Sequence, residues 1–237
     1  MADGATATRS VFHGDLAELH STLVQFGAFV SGMLARAMRA LVEQDYRLAE
    51  EVRISDDVAD AFNHQVEDMG LRVLSLQQPL ARDLYAVTGS IRIAADLERV
   101  GDYSNDIAKI ARRLVDEPLY WELTDLSRMA AQAQEMMRLA IECVVERDLE
   151  TAKAVAQMDR ELDDLWHLLR DQCMNHMRAD PQYVRQATFL LLTARYLERI
   201  GDHIVNVAER VHFMETGRVE KLRKGPQDNG LRPSVFA

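Results

Sequence analysis

An internal repeat is the feature of this sequence that most constrains its fold. One motif occurs twice, as Leu97-Glu98-Arg99-Val100-Gly101-Asp102 and as Leu197-Glu198-Arg199-Ile200-Gly201-Asp202. A second set of residues recurs with nearly the same displacement, with Asp45, Asp56, Asp60 and His64 corresponding to Asp148, Asp159, Asp163 and His167. A chain of 237 residues is long enough for two small domains. The repeat therefore predicts two similar halves.

Apolar residues at helical spacing run through both halves. The first stripe steps by three and four residues from Leu16 to Ala40, and no stretch alternates as a strand does. Asp45, where this stripe ends, is predicted to be the N-cap of the next helix. Six such stripes predict an all-α fold of two tandem, pseudo-symmetric, antiparallel three-helix bundles. The predicted segments are a flexible N-terminus at 1–10, a first bundle at 11–115, a linker at 116–123, a second bundle at 124–216 and a disordered tail at 217–237.

Composition limits the partners and the compartment. The formal net charge is −10, which argues against nucleic acid as a main partner and suits metal cations or a basic protein surface. There is no N-terminal signal pattern and no apolar run of membrane-spanning length, so we expect a cytoplasmic protein. Cys143 and Cys173 lie at apolar positions without CxxC spacing, which predicts buried free thiols.

Carboxylates four residues apart form ridges beside the apolar stripes. Glu98, Asp102 and Asp106 lie one helical turn above each other, and Asp56, Asp60 and His64 do the same on the preceding helix. On adjacent antiparallel helices, two such ridges would face each other across a shallow groove. Carboxylate oxygens with at most one imidazole suit Mg, Mn, Fe and Zn ions.

Two explanations of these ridges stay open at this stage. An acidic ridge is usually a solvated helix face, since like charges at this spacing cost only ~0.2–0.5 kcal/mol per pair. Gly101 and Gly201 weigh against that explanation, because each costs ~1 kcal/mol inside a helix. A cost accepted twice at the same place indicates the close approach of a neighbouring helix or of a bound ion.

The repeated motifs resemble those of the PhoU family of phosphate-uptake regulators, over roughly residues 11–217. The resemblance implies two three-helix bundles that bind multinuclear iron or zinc clusters through E/D-x-x-x-D motifs. Manganese and magnesium, which carboxylate ligands also suit, are the alternatives. These motifs fall on Glu98/Asp102 and Glu198/Asp202. The full set of metal ligands that we predict is Asp56, Asp60, Glu98, Asp102, Asp106, Asp159, Asp163, Glu198, Asp202 and Asn206. Asn206 stands where the first half has Asp106, which makes the second site poorer in charge.

The resemblance also implies a role without catalysis. PhoU-like proteins repress the phosphate-starvation response, and they link a phosphate ABC transporter, through its ATPase subunit, to a sensor histidine kinase. The implied protein is a cytoplasmic homodimer that meets the membrane only through protein partners, and it has no catalytic residues.

Two other functions compete with this one. Di-iron oxidases also use carboxylates in helical bundles, with Glu-x-x-His motifs that point into the core. Here a single stretch fits that pattern, Glu209-Arg210-Val211-His212. The other alternative is a metal-free helical adaptor whose acidic ridges bind a basic partner directly.

Overall fold

The computed structural model describes residues 2–80 and 82–222, with side chains from Phe12 onward, and no β-strand occurs in this part of the chain. The predicted all-α fold is confirmed. Its elements are α1 (Ala2–Val42), α2 (Tyr46–Ile54), α3 (Asp56–Gln77), α4 (Arg82–Leu114), α5 (Thr124–Glu146), α6 (Leu149–Ala179), a single 3-10 turn (Pro181–Tyr183) and α7 (Val184–Thr216).

Two of the repeated aspartates cap helices. The Asp45 side chain accepts a hydrogen bond from the backbone N–H of Leu48 at 3.0 Å at the start of α2, as predicted. Asp148 accepts from the N–H groups of Glu150 and Thr151 at the start of α6. Hydrogen bonds from Thr151 hold the pKa of Asp148 below its ordinary value. This pair of repeated carboxylates therefore has a structural role.

The second helix of the first half is broken, although the sequence predicted one continuous helix there. The chain ends α2 at Ile54 and starts α3 at Asp56. Between them, the Ser55 hydroxyl donates to the Glu51 carbonyl at 2.8 Å, and its backbone N–H donates to the carbonyls of Glu51 and Val52. Such local bonding by serine competes with the regular helical pattern.

The helices pack as two tandem bundles, as predicted. The first is built by α1, α3 and α4 with the short α2, and the second by α5, α6 and α7. The bundles meet where α4 packs against α7 and α1 against α5, so their buried apolar residues form one continuous core. Contacts of Asp96 with His203 and of Tyr85 with Phe213 show that α4 and α7 run antiparallel.

Two glutamines fix the connection between the bundles. Gln44 donates to the carbonyls of Leu114 and Glu117 at 2.6 and 2.7 Å. Gln186, which is buried in α7, donates to the Pro118 carbonyl and accepts from the N–H of Tyr120, both at 2.9 Å. These bonds satisfy backbone groups in a segment that lacks helical partners.

Parts of both predicted end segments are described. Residues 2–10, within the segment predicted to be flexible, belong to α1, which begins at Ala2. Residues 217–222 of the predicted disordered tail are described, and Glu209 holds them through the Lys221 ammonium and the Leu222 N–H. Residue 1 and residues 223–237 lie outside the described part.

Two further features concern the buried interior and the membrane. Cys143 and Cys173 are buried free thiols, as predicted, and burial raises their pKa to about 12 and about 11. None of the described helices is long and apolar enough to span a membrane.

Candidate functional site

Four predicted ligands converge between α3 and α4, and we call them the first acidic cluster: Asp56, Asp60, Glu98 and Asp102. Burial raises the pKa of Glu98, and the charges of Asp102, Asp60 and Asp56 raise it further. Burial also raises the pKa of Asp56, with contributions from Asp102 and Asp60. Mutual repulsion of this kind shows that the four carboxylates share one electrostatic environment.

Neighbouring polar groups partly neutralise the first acidic cluster. The Arg99 guanidinium lies 2.8 Å from Asp102 and 3.3 Å from Glu98. The Asn105 amide nitrogen donates to Asp56 at 2.6 Å and opposes the rise in its pKa. Asn105 thus ties the start of α3 to α4.

The equivalent residues lie on the packed helices α6 and α7, and we call them the second acidic cluster: Asp159, Asp163, Glu198 and Asp202. Burial raises the pKa of Glu198, and Asp202 and Asp163 raise it further, whereas Arg195 and Arg199 lower it. Arg195 pairs with Glu198 at 2.8 Å, and Arg199 pairs with Asp202 at 3.2 Å. Asp159 is 1% exposed, in contrast to its half-buried counterpart Asp56.

The two repeated glycines are explained by helix packing. A Cβ atom at Gly101 would lie 3.3 Å from the Cβ of Ala59 on α3. A Cβ atom at Gly201 would collide with Leu162 and lie 3.0 Å from an Asp159 oxygen on α6. Of the two causes considered for these glycines, the structure shows the close approach of a neighbouring helix.

Asp106 and Asn206 face the groove between α4 and α7, outside the two acidic clusters. Asp106 pairs with Lys109 at 2.9 Å. Burial raises the pKa of Tyr196, and the charge of Asp106 raises it further. Asn206 donates to Asp96 at 3.0 Å, and the same carboxylate oxygen lies 2.9 Å from His203 Nδ1. The repeated histidines His64 and His167 are exposed.

The sequence reasoning missed several residues near the clusters because it looked for what the halves share. Asp96 and His203 form a polar contact across the groove, and Tyr103 stacks on Tyr196 with 5.7 Å between ring centroids. By the repeat, Asp96 corresponds to Tyr196 and Tyr103 to His203, so both contacts involve positions where the halves differ. A list of differences between the halves would have found these residues and also Arg195.

The donor set fits metal ions in its chemistry. Each cluster offers four carboxylates, which are the oxygen ligands that hard and borderline cations prefer. In the conformation of the described residues, no three His, Cys, Asp or Glu side chains are grouped closely enough to hold an ion. Instead, Arg99, Arg195 and Arg199 form ion pairs with the carboxylates Glu98, Asp102, Glu198 and Asp202. Metal binding by these residues stays a prediction.

Comparisons with known proteins agree across both halves. A family model described as "PhoU domain" matches residues 23–111 and 126–211. A phosphate-specific transport system accessory protein PhoU homolog from Clostridium acetobutylicum is 34% identical over 89% of this chain and 97% of its own length. The crystal structure of PhoU from Pseudomonas aeruginosa has a TM-score of 0.85 at 29% identity and covers 87% of this chain and 100% of its own. The phosphate transport system regulatory protein PhoU from Streptococcus pneumoniae has a TM-score of 0.83 at 26% identity, with coverages of 88% and 99%.

Proposed function

This chain belongs to the PhoU family, and we propose that it is a negative regulator of phosphate uptake and of the phosphate-starvation response. The observation that carries the proposal is the match of the family model to both halves. The relatives support the role by their names, which describe a transport accessory protein and a transport regulatory protein. We infer that the protein acts by binding other proteins and not as an enzyme.

The proposed partners are the ATPase subunit of a phosphate ABC transporter and the sensor histidine kinase of the phosphate response. A cytoplasmic homodimer would contact both and would reach the membrane only through them. The net charge of −10 and the two acidic clusters favour a basic docking face on a partner. If these charges contribute to docking, pull-down of the ATPase subunit should weaken as salt rises from low to high concentration.

The metal part of the proposal assigns divalent or trivalent cations, iron or zinc first, to the two acidic clusters. Asp56, Asp60, Glu98 and Asp102 would hold them in the first half, and Asp159, Asp163, Glu198 and Asp202 in the second. Burial raises the pKa of Glu98 and Glu198, and neighbouring carboxylates raise it further. A bound cation would neutralise these carboxylates. In each half, both of the two packed helices would then supply oxygen ligands to the cation.

A metal-free adaptor is the second candidate, and the arginine pairs of the clusters favour it. Elemental analysis of the purified protein separates the two, because several iron, zinc or manganese ions per chain exclude the metal-free adaptor.

The contacts of Glu209 and His212, the motif of the oxidase alternative, give these residues another use. Glu209 accepts hydrogen bonds from Lys221 and Leu222, and His212 Nε2 lies 3.4 Å from the carboxylate of Glu220. These two residues therefore bind the segment after α7.

Deletion of the gene tests the regulatory role. We expect a reporter of the phosphate-starvation response to stay active in phosphate-replete medium, with excess phosphate uptake, and a plasmid copy of the gene to restore repression. Normal repression in the deletion strain would contradict the proposal, whatever the metal content of the protein.

A further inference from the structure

The two acidic clusters share four carboxylates but differ in the residues around them. By the repeat, Asn105 in the first half corresponds to Val205 in the second, and Ala95 corresponds to Arg195. Both differences change the charge or the oxygen donors beside the carboxylates. They therefore bear on how each cluster would receive a cation.

In the first cluster, Asn105 supplies a buried oxygen that accepts no hydrogen bond from the described part of the chain. The side chain is 4% exposed, and its amide nitrogen faces Asp56 because two oxygens would repel each other. Within residues 2–80 and 82–222, no hydrogen bond reaches Asn105 Oδ1. A buried acceptor left unpaired costs stability, and a neutral amide oxygen is a good ligand for hard cations. Val205, also buried, offers no such atom.

In the second cluster, an additional arginine, Arg195, forms an ion pair with Glu198. Arg195 lies 2.8 Å from Glu198, and its guanidinium stands 5.6 Å from the centroid of the Trp166 ring. Glu198 is 9% exposed, so this ion pair is shielded from water on the Glu198 side. The first half has Ala95 at this position and Asn63 at the position of Trp166, and neither can replace the pair.

We propose that the two clusters are unequal cation sites. The first cluster binds a divalent cation more tightly, with Asn105 Oδ1 as an additional oxygen ligand. In the second cluster, Arg195 already pairs with Glu198, so a cation must displace the guanidinium or bind beside its positive charge. The inference rests on the metal part of the proposed function, and it names the residues that set the difference.

Titration of the metal-free protein with Mn²⁺ alone, followed by the electron paramagnetic resonance signal of free Mn²⁺, tests this directly. We expect the wild-type chain to show two classes of site, with affinities that differ by about tenfold or more. A single class of sites with one affinity would overturn the inference while leaving metal binding intact. Absence of any Mn²⁺ binding would overturn both this inference and the metal part of the proposed function, which the deletion experiment does not depend on.

Reciprocal substitutions identify the residues responsible. Arg195→Gln, which keeps a polar side chain over Trp166 without its charge, should tighten the weak class about tenfold, and Ala95→Arg should weaken the tight class by a similar factor. No change in affinity for either variant would contradict the role of Arg195.

Substitutions at Asn105 show whether this residue acts as a metal ligand or only as a packing residue. Asn105→Val should weaken the tight class, whereas Asn105→Asp, which keeps an oxygen there, should retain it. Circular dichroism confirms that each variant is folded. Equal loss in both Asn105 variants would assign that residue a packing role and remove it from the ligand set.

Discussion

The second helices of the two halves carry the same pair of carboxylates on different backbones. In the first half, the break at Ser55 places Asp56 in the first turn of α3, where it is half-buried. In the second half, α6 runs unbroken from Leu149 to Ala179, and Asp159 lies inside it at 1% exposure. The comparison shows that equivalent carboxylates of a repeat differ in burial where the helices that carry them differ.

The largest effect that we expect concerns metal content. Asp102→Ala should strip metal from the first acidic cluster, and Asp202→Ala should remove less, because the second cluster is the poorer site. Both side chains are partly exposed on helix surfaces, so helicity should hardly change. Elemental analysis and circular dichroism of the two variants measure this. Full metal content in both would show that the ligand assignment is wrong, and equal losses would remove the difference between the halves.

A large difference in stability should separate the two repeated glycines. Gly201→Ala places a methyl group against Leu162 and Asp159 in a packed interface, and it should cost about 1–3 kcal/mol in the free energy of unfolding. Gly101→Ala meets Ala59 at 3.3 Å, and the better helix propensity of alanine, worth ~1 kcal/mol, should offset most of the crowding. Urea denaturation of both variants measures the difference. Equal costs would mean that α6 and α7 are no more tightly apposed than α3 and α4.

The smallest effect should appear in the pH dependence of the metal-free protein. Burial and neighbouring carboxylates raise the pKa of Glu98 above 4.5, so the folded state binds its proton more tightly than the unfolded state does. Stability should therefore fall as pH rises from the ordinary value through the raised one. Glu98→Gln should remove this loss and raise the Tm at neutral pH by no more than a few degrees, because solvent still screens a side chain that is partly exposed.

Glu198→Gln provides the matched comparison. The pKa of Glu198 is also raised by burial, but its replacement takes the carboxylate partner from Arg195. We expect a smaller gain in Tm than for Glu98→Gln, or a loss. Thermal unfolding of both variants in a chelator-treated buffer, at neutral and mildly acidic pH, gives the result. A larger gain for Glu198→Gln would contradict the stabilising role of Arg195.

The all-α fold and the positions of most carboxylates could be predicted from the sequence, because helical spacing determines which side chains share a face. Burial and the charges of Asp102, Asp60 and Asp56 raise the pKa of Glu98, and burial and the charges of Asp202 and Asp163 raise that of Glu198, so these carboxylates lie near one another as the four-residue spacing predicts. The N-cap role of Asp45 also followed from the sequence, since aspartate is one of the preferred residues at a helix N-cap.

The remaining features depend on neighbours that no pattern in one segment reveals. The break at Ser55 comes from a side-chain bond that competes with the helix, and the apolar periodicity continues across it. The burial of Asp159 arises from close contact with Gly201, and the Arg195–Trp166 contact joins two helices of the second half. Asp106 and Asn206 face a groove between bundles, which spacing within one helix does not predict.

The most direct test of the whole account is repression of the phosphate-starvation response by a chain whose clusters have been changed. A deletion strain would carry either the wild-type gene or the gene with Asp102→Ala and Asp202→Ala, at matched protein levels and in phosphate-replete medium. We predict that the wild-type chain silences the reporter and that the folded double variant leaves it active. Full repression by the double variant would show that the regulator works without Asp102 and Asp202, and would contradict the account.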